Sequence, residues 1–298
     1  MRSARGNWYI SSKSRKFSDC CLIKSGSLVF KRIISAVICS FCVCSIQNLA
    51  TAETLPNDSL VSTPWRDTDG GRVRIAIEPN WNNGQRQGLI EVKLQPGWKT
   101  YWQNPGNSGM APSFTFKEPL NYHIFYPVPH LFADGEDWSF GYKNNVILPF
   151  SLTSPTNTTN LSGRLTIGFC EKICLPVDVD FNFESSAFEV DQIDASYLET
   201  AKQQLPEPAN DNIQINADPK NNQLSIKITT PKNVKISALY LDGGDNELGP
   251  AKIIDQKDGQ TTFSADILYM SSDDKFSVNY IADAEPKAFT GTFTVTKQ

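Results

Sequence analysis

Beyond about residue 60 the chain is patterned in twos. Val73, Ile75 and Ile77 alternate with Arg72, Arg74 and Ala76, and Ile90, Val92 and Leu94 alternate with Glu91 and Lys93. Further apolar runs follow from Val146 to Leu152, from Leu165 to Phe169, and at Val177, Val179, Phe181 and Phe183. A period of two marks a strand with one buried face. Short strands of this kind between turn signals predict antiparallel sandwiches. Around Glu189 the pattern breaks. Asp194 is placed to cap a short helix over Ala195 to Gln204, with Tyr197, Leu198, Ala201 and Leu205 along one side, and Pro206 and Pro208 stop it. Alternation then resumes at Leu224, Ile226 and Ile228, from Ile236 to Tyr240, at Phe276, Val278 and Tyr280, and at Phe289, Phe293 and Val295. The reading is an all-β chain: a β-sandwich domain over 60–188, a helical linker over 189–211 and a second, smaller β domain over 212–298. No convincing internal repeat is visible, although the two halves could be similar sandwiches.

The N-terminal region follows a different rule. Lys31 and Arg32 precede an uncharged stretch from Ile33 to Ala52 that ends in Ala50-Thr51-Ala52. A basic start, an apolar core and a small-x-small site make a secretory signal peptide. The apolar core, Ile33 to Ile46, is short for a bilayer span, which needs roughly 20 apolar residues. A cleaved signal is therefore expected over 1–52, with an uncleaved anchor as the alternative. The first thirty residues are basic and Ser-rich, with Trp8 and Tyr9; a start codon placed too far upstream would explain them. Cys39, Cys42 and Cys44 lack the surrounding pattern of a lipid-attachment site.

Export changes both the charge and the thiol count. The whole chain has 28 basic and 32 acidic residues. Residues 1–52 hold eight of the basic and one of the acidic residues, so 20 and 31 remain and the net charge becomes −11. That argues against nucleic acid, whose binding depends on clustered Lys and Arg, and against anionic membrane surfaces. No later stretch is apolar enough to span a bilayer, so a soluble mature protein in the periplasm is expected. Five of the seven cysteines, at 20, 21, 39, 42 and 44, leave with the leader. Cys170 and Cys174 are the two that stay.

The pair lies in Gly168-Phe169-Cys170-Glu171-Lys172-Ile173-Cys174-Leu175-Pro176. In one continuous strand, residues four apart are about 13 Å apart, too far for a disulfide. A three-residue hairpin loop would set the two cysteines opposite each other at about 4.5–5.5 Å. A short helical turn would also bring them close. In an oxidising compartment a bond follows from either geometry. It could be a staple or a redox centre. A five-residue ring is worth only about 2 kcal/mol in the chain-entropy model, and exposed or strained disulfides are the labile ones. Lys172 would favour a thiolate and Glu171 would oppose it, so spacing alone leaves the two roles even.

A longer set of motifs bears on the choice. Trp98-Lys99-Thr100-Tyr101-Trp102-Gln103-Asn104-Pro105-Gly106-Asn107-Ser108-Gly109 resembles the Trp-rich, Asn-Pro-Gly-x-Ser-Gly signature of the DsbD/ScsB N-terminal domain family. Tyr126-Pro127-Val128-Pro129, then Gly141 to Pro149, and Cys170 to Pro176 are similar to its later motifs, in the same order. The resemblance implies an immunoglobulin-like sandwich over about 60–188. It also implies that Cys170 and Cys174 relay reducing equivalents by thiol–disulfide exchange, as in a protein-disulfide reductase. A membrane thiol reductase or thioredoxin-like protein would be the donor, and periplasmic thiol proteins the acceptors. In the family a membrane reductase segment and a thioredoxin-like domain share the chain. No Cys-x-x-Cys follows Cys174 in this sequence, so a separate donor is expected. Together with the crowding of rings near the motifs, the resemblance implies a lid or supporting shell at the sulfurs drawn from Tyr101, Trp138, Phe140 and Tyr142. The bland reading of each ring is core packing. The alternative function is a non-catalytic envelope binding or assembly module, with the disulfide as a staple and the acidic second domain as its docking surface.

Other features carry less. Asp134-Gly135-Glu136-Asp137 lacks the alternating oxygen ligands of a calcium loop. His123 and His130 are the only histidines, and no spacing joins them to the cysteines as a metal site. Asn157-Thr158-Thr159 fits a glycosylation pattern that means little in a bacterial chain. No phosphate loop, flavin or nicotinamide site is present, so no cofactor is expected.

Overall fold

The computed structural model describes residues 59–154, 161–183, 191–257 and 259–296. The expected signal peptide, its five cysteines and Asn157 to Thr159 lie outside them. The first part of the chain forms β1 (Ser59–Ser62), β2 (Arg66–Thr68), β3 (Gly71–Ile77), β4 (Gln85–Leu94), β5 (Lys99–Tyr101), β6 (Ser113–Phe116) and β7 (Asn121–Ile124). It continues through β8 (His130–Asp134), β9 (Asp137–Lys143), β10 (Asn145–Thr153), β11 (Ser162–Cys170), β12 (Cys174–Asn182) and β13 (Asp191–Asp194). These strands make two sheets. One runs β13-β1-β3-β4-β10-β7 with β2 on β3; the other runs β12-β11-β5-β9-β8 with β6 on β11. Their inner faces enclose a core that includes Val73, Ile75, Trp102, Leu148, Ile167 and Phe169. The alternation of the sequence is the alternation of burial: in β12 Val177, Val179 and Phe181 are buried between Asp178, Asp180 and Asn182.

β3 and β4 depart from strict alternation because both of their faces are covered. Behind them α1 (Ser196–Gln203) sets Leu198 against Leu60, Ala76 and Leu89. Glu91, only 2% exposed, is paired with Arg74 at 2.6 Å and Lys93 at 3.1 Å, and Arg72, Arg74 and Lys93 all stack on the Trp65 ring. A buried carboxylate is retained at such a position when it is paired.

The second part contains β14 (Glu207–Pro208), β15 (Gln214–Lys220), β16 (Gln223–Thr229), β17 (Lys235–Asp242), β18 (Glu247–Leu248), β19 (Lys252–Lys257), β20 (Gln260–Tyr269), β21 (Lys275–Glu285) and β22 (Phe289–Thr296). One sheet is ordered β14-β22-β21-β17; the other is β15-β16-β20-β18, with β19 also on β20. Leu224, Ile226, Ile228, Phe263, Val278 and Val295 fill the space between them. Asn221 and Asn222 both take positive φ in the two-residue turn from β15 to β16, the geometry that favours asparagine in a tight hairpin. The molecule is thus an immunoglobulin-like β-sandwich joined to a second, smaller β-sandwich.

The segment expected as a helical linker differs from that reading. Its helix is present, and Asp194 Oδ1 accepts a hydrogen bond from Ser196 N at its start. Yet residues 191–194 form a strand on β1, and Glu207 and Pro208 run parallel to β22. The stretch is stitched into a sheet at each end. Strands of four and two residues are too short for a period to register in sequence. The two sandwiches also share packing: Tyr240 of β17 and Ile281 of β21 belong to the first core.

Candidate functional site

The hairpin geometry is the one realised at the cysteines. β11 and β12 pair antiparallel through nine residues, from Ser162 with Asn182 to Cys170 with Cys174. Leu165 faces Val179 and Ile167 faces Val177 across the strands, so the apolar register of both strands fixes the position of the pair. Glu171, Lys172 and Ile173 make the loop, and Ile173 is 72% exposed at its tip. The two Cα atoms are 4.1 Å apart and the sulfurs are bonded.

Register also tells which face the sulfurs occupy. Directly paired residues project to the same side of a sheet. Cys170 pairs with Lys99, Lys99 with Lys143, and Tyr101 with Gly141. The disulfide therefore lies with Lys99 and Tyr101 on the face away from the first core. Trp138, Phe140 and Tyr142 have the opposite parity on β9. Phe140 packs edge-to-face with Trp102, Trp138 stacks at a tilt on Phe140, and Tyr142 Oη donates to the Pro127 carbonyl. Phe140 and Tyr142 sit on the core side of the sheet, away from the sulfurs, and the Trp138 ring, of the same parity, lies against the Gly106 turn that leads to them. A one-residue offset in a strand is enough to decide this.

Tyr101 is the ring that meets the disulfide. Its Oη lies 2.9 Å from Cys174 Sγ, where the hydroxyl donates to sulfur. Burial pushes its pKa up to about 12, so the phenol keeps its proton. Tyr101 has no exposed surface although it is on the outer face. Its cover is the segment from Gln103 to Pro112. A side-chain carbon added at Gly109 would strike Pro105 and the Tyr101 ring, each at 2.6 Å, and one at Gly168 would touch Met110 and that same ring. Gly106 has φ +81, and any side chain there would meet the Trp138 carbonyl. Asn107 accepts from Trp138 N and donates to the Glu136 carbonyl, and Ser108 Oγ donates to the Trp138 carbonyl. The glycine-rich motif thus lays its backbone flat on the sheet. Its Ser108 carbonyl oxygen ends 3.7 Å from Cys174 Sγ. This covering loop was not picked out as a functional element from the sequence, although its residues carry the family signature.

The two sulfurs are not equivalent. Cys170 is 6% exposed and Cys174 is half-buried. Lys99, next to Cys170 in register, turns away: its Nζ donates to Ser139 Oγ and lies 5.1 Å from the Phe132 ring centre. Burial lowers its pKa, and Asp134 partly offsets the effect. Asp134 to Asp137 form the β8–β9 turn, with φ +62 at Gly135. His123 lies on β7 and His130 on β8, in different sheets. Among the described residues no three His, Cys, Asp or Glu side chains are grouped to hold a metal ion.

Comparisons place this geometry among known proteins. Residues 72–185 match the family model of the thiol:disulfide interchange protein DsbD, N-terminal. Among solved structures, the chain is similar to the N-terminal periplasmic domain of ScsB from Proteus mirabilis. The two are 22% identical, with a TM-score of 0.66 covering 80% of this chain and 99% of that chain. No curated protein matches the sequence. The matched residues include both cysteines, Tyr101 and the covering loop, and over them the chain is similar to the N-terminal domain of the DsbD family of thiol:disulfide interchange proteins.

Proposed function

We propose that this protein is a periplasmic two-electron carrier that works by thiol–disulfide exchange at Cys170 and Cys174. The observation that carries the reading is the placement of the bond: a hairpin tip, one sulfur half-exposed, with a phenol hydroxyl 2.9 Å from that sulfur. The ScsB region it resembles is a periplasmic domain, in keeping with the signal peptide expected over 1–52.

Cys174 is the partner-facing sulfur. A thiolate of a reduced donor attacks Cys174, a new mixed disulfide forms, the Cys170–Cys174 bond breaks, and Cys170 leaves as a thiolate that takes a proton from water. A second donor thiol displaces Cys174, leaving the donor oxidised and the pair reduced. Cys174 then attacks an acceptor disulfide, and Cys170 resolves that mixed disulfide to restore the bond. The donor is a membrane thiol reductase or a thioredoxin-like protein, docking over the Glu171–Ile173 loop with exposed Ile173 as an apolar contact. The acceptors are periplasmic thiol proteins.

Two measurements test this. Structural disulfides in secreted proteins have potentials below about −300 mV, so the pair is expected above that value. Cys170→Ser removes the resolving thiol and is expected to accumulate a mixed disulfide at Cys174 with a thiol protein, visible on non-reducing gels and identified by mass spectrometry. A bond that resists reduced thioredoxin-like domains, with no captured partner in either single mutant, would leave a structural staple as the reading.

A further inference from the structure

The residues that enter the covering loop are tied to the other sandwich. Gln103 Nε2 donates to Asp242 Oδ2 at 2.9 Å, and Asn104 Nδ2 donates to the Leu241 carbonyl at 2.8 Å. Asn104 Oδ1 also accepts from Gly106 N, which sets the turn that carries the loop back over the sheet. Immediately before them Trp102 packs edge-to-face on Tyr240, two residues from Asp242. Farther along, side chains of Asn107 and Ser108 hold the loop to β9, and the Ser108 carbonyl reaches Cys174. Among the described residues its one backbone hydrogen bond to the sheet, Phe140 N to the Pro105 carbonyl, is long at 3.3 Å. The loop is therefore held chiefly by four polar side chains, two of them anchored on β17. Between the loop and the second sandwich lies a cleft of about 420 Å³, lined by Asn104, Asn107, Trp138, Asp242, Glu247 and Leu268. Neither cysteine lines it.

We infer that the second sandwich sets access to the disulfide: Asp242 and the Leu241 carbonyl are positioning groups that hold Gln103 and Asn104, and through them the loop over Cys174. The inference rests on the exchange function proposed above. Neither group touches a sulfur. Releasing them lets the loop move into the cleft, so that an incoming thiolate reaches Cys174 and the leaving Cys170 thiolate reaches water in either direction of exchange. The latch acts on the barrier and leaves the equilibrium between the oxidised and reduced pair unchanged.

The test uses the full chain. The rate of reduction of Cys170–Cys174 by dithiothreitol, and of reoxidation of the reduced pair by glutathione disulfide, is measured for wild type, Gln103→Ala, Asp242→Ala and the double variant. Each single change is expected to raise both rates by about tenfold or more, the factor that fits loss of one side-chain hydrogen bond to a charged acceptor. The ratio of the two rates stays fixed, and the double variant is no faster than the faster single one, because both remove the same bond. Leu224→Ala, which empties part of the second core and removes none of the hydrogen bonds that hold the loop, is the control for lost stability and is expected to react at the wild-type rate. Unchanged rates in both single variants, or an equal acceleration in Leu224→Ala, overturn the latch. A wild-type bond that resists reduced thioredoxin-like domains while Gln103→Ala still speeds dithiothreitol would sink the exchange reading and leave the latch standing.

Discussion

At the scale of single residues, Tyr101 distinguishes the two sulfurs. It keeps its proton well above neutral pH because burial disfavours the phenolate. In the reduced protein it is placed to donate to a Cys174 thiolate, and hydrogen bonds to charged groups are worth about 1.5–3 kcal/mol. Tyr101→Phe keeps the ring under the loop and removes only the donor. Alkylation of Cys174 at pH 7, followed by mass spectrometry, is expected to slow by about tenfold, as loss of roughly 1.4 kcal/mol of thiolate stabilisation requires. Cys170, without the phenol contact, is expected to change much less. Equal slowing at both sulfurs would mean that Tyr101 acts on the hairpin as a whole. The sequence offered Tyr101 alongside Trp138, Phe140 and Tyr142 with nothing to separate them. The separation comes from strand parity, and a one-residue offset between β5 and β9 is invisible until the two strands are paired.

The hairpin is the element in which a staple and a redox centre part company. β11 and β12 are held by nine pairs, and the buried pairs Leu165 with Val179 and Ile167 with Val177 lie well inside its open end. The disulfide joins residues already placed opposite each other by that register. Its ring is short, so the unfolded chain loses little freedom through it. The double variant Cys170→Ser, Cys174→Ser is expected to lose about 2 kcal/mol or less in denaturant unfolding. Ile167→Ala, which empties part of the core beneath the same hairpin, is expected to cost more, about 2–5 kcal/mol. Failure of the double serine variant to fold, or a loss above that of Ile167→Ala, would assign the bond a structural role. The alternation on both sides of Glu171-Lys172-Ile173 was legible in the sequence, and a hairpin was one of two geometries it allowed. Pairing through to Cys170 with Cys174 removed the helical turn.

Over the whole molecule, buried tyrosines link stability to pH. Burial holds Tyr101, Tyr240 and Tyr280 protonated up to about pH 12, and Tyr142 is raised further in the same direction. An unfolded tyrosine ionises near pH 10. Because the folded value is the higher, the folded state binds more protons above pH 10, and stability falls as pH rises. The contribution is complete below about pH 10 and is lost through about pH 12. Thermal unfolding is expected to show a flat midpoint from pH 7 to 9 and a steep fall above pH 10, and Tyr240→Phe should flatten that fall. Tyr240 matters here because it stands in the first core while belonging to the second sandwich, against Trp102 and Phe140. A midpoint that stays level to pH 12 would show that these hydroxyls ionise without unfolding the protein.

The two-residue period was enough to define an all-β chain with a sandwich in each part. Each strand buries one face, and that requirement is written locally. The motifs around Trp98 to Gly109 and Cys170 to Pro176 likewise put the candidate site in the first sandwich. The short strands at 191–194 and 207–208 escaped because they hold too few residues to show a period. The face on which the sulfurs lie, the ring that meets them and the loop that covers them depended on registers between strands far apart in sequence. So did the union of the two sandwiches: Gln103 meets Asp242 across 139 positions. The sequence encodes which side of a strand is apolar; only the assembled sheets decide which residues of different strands share a side.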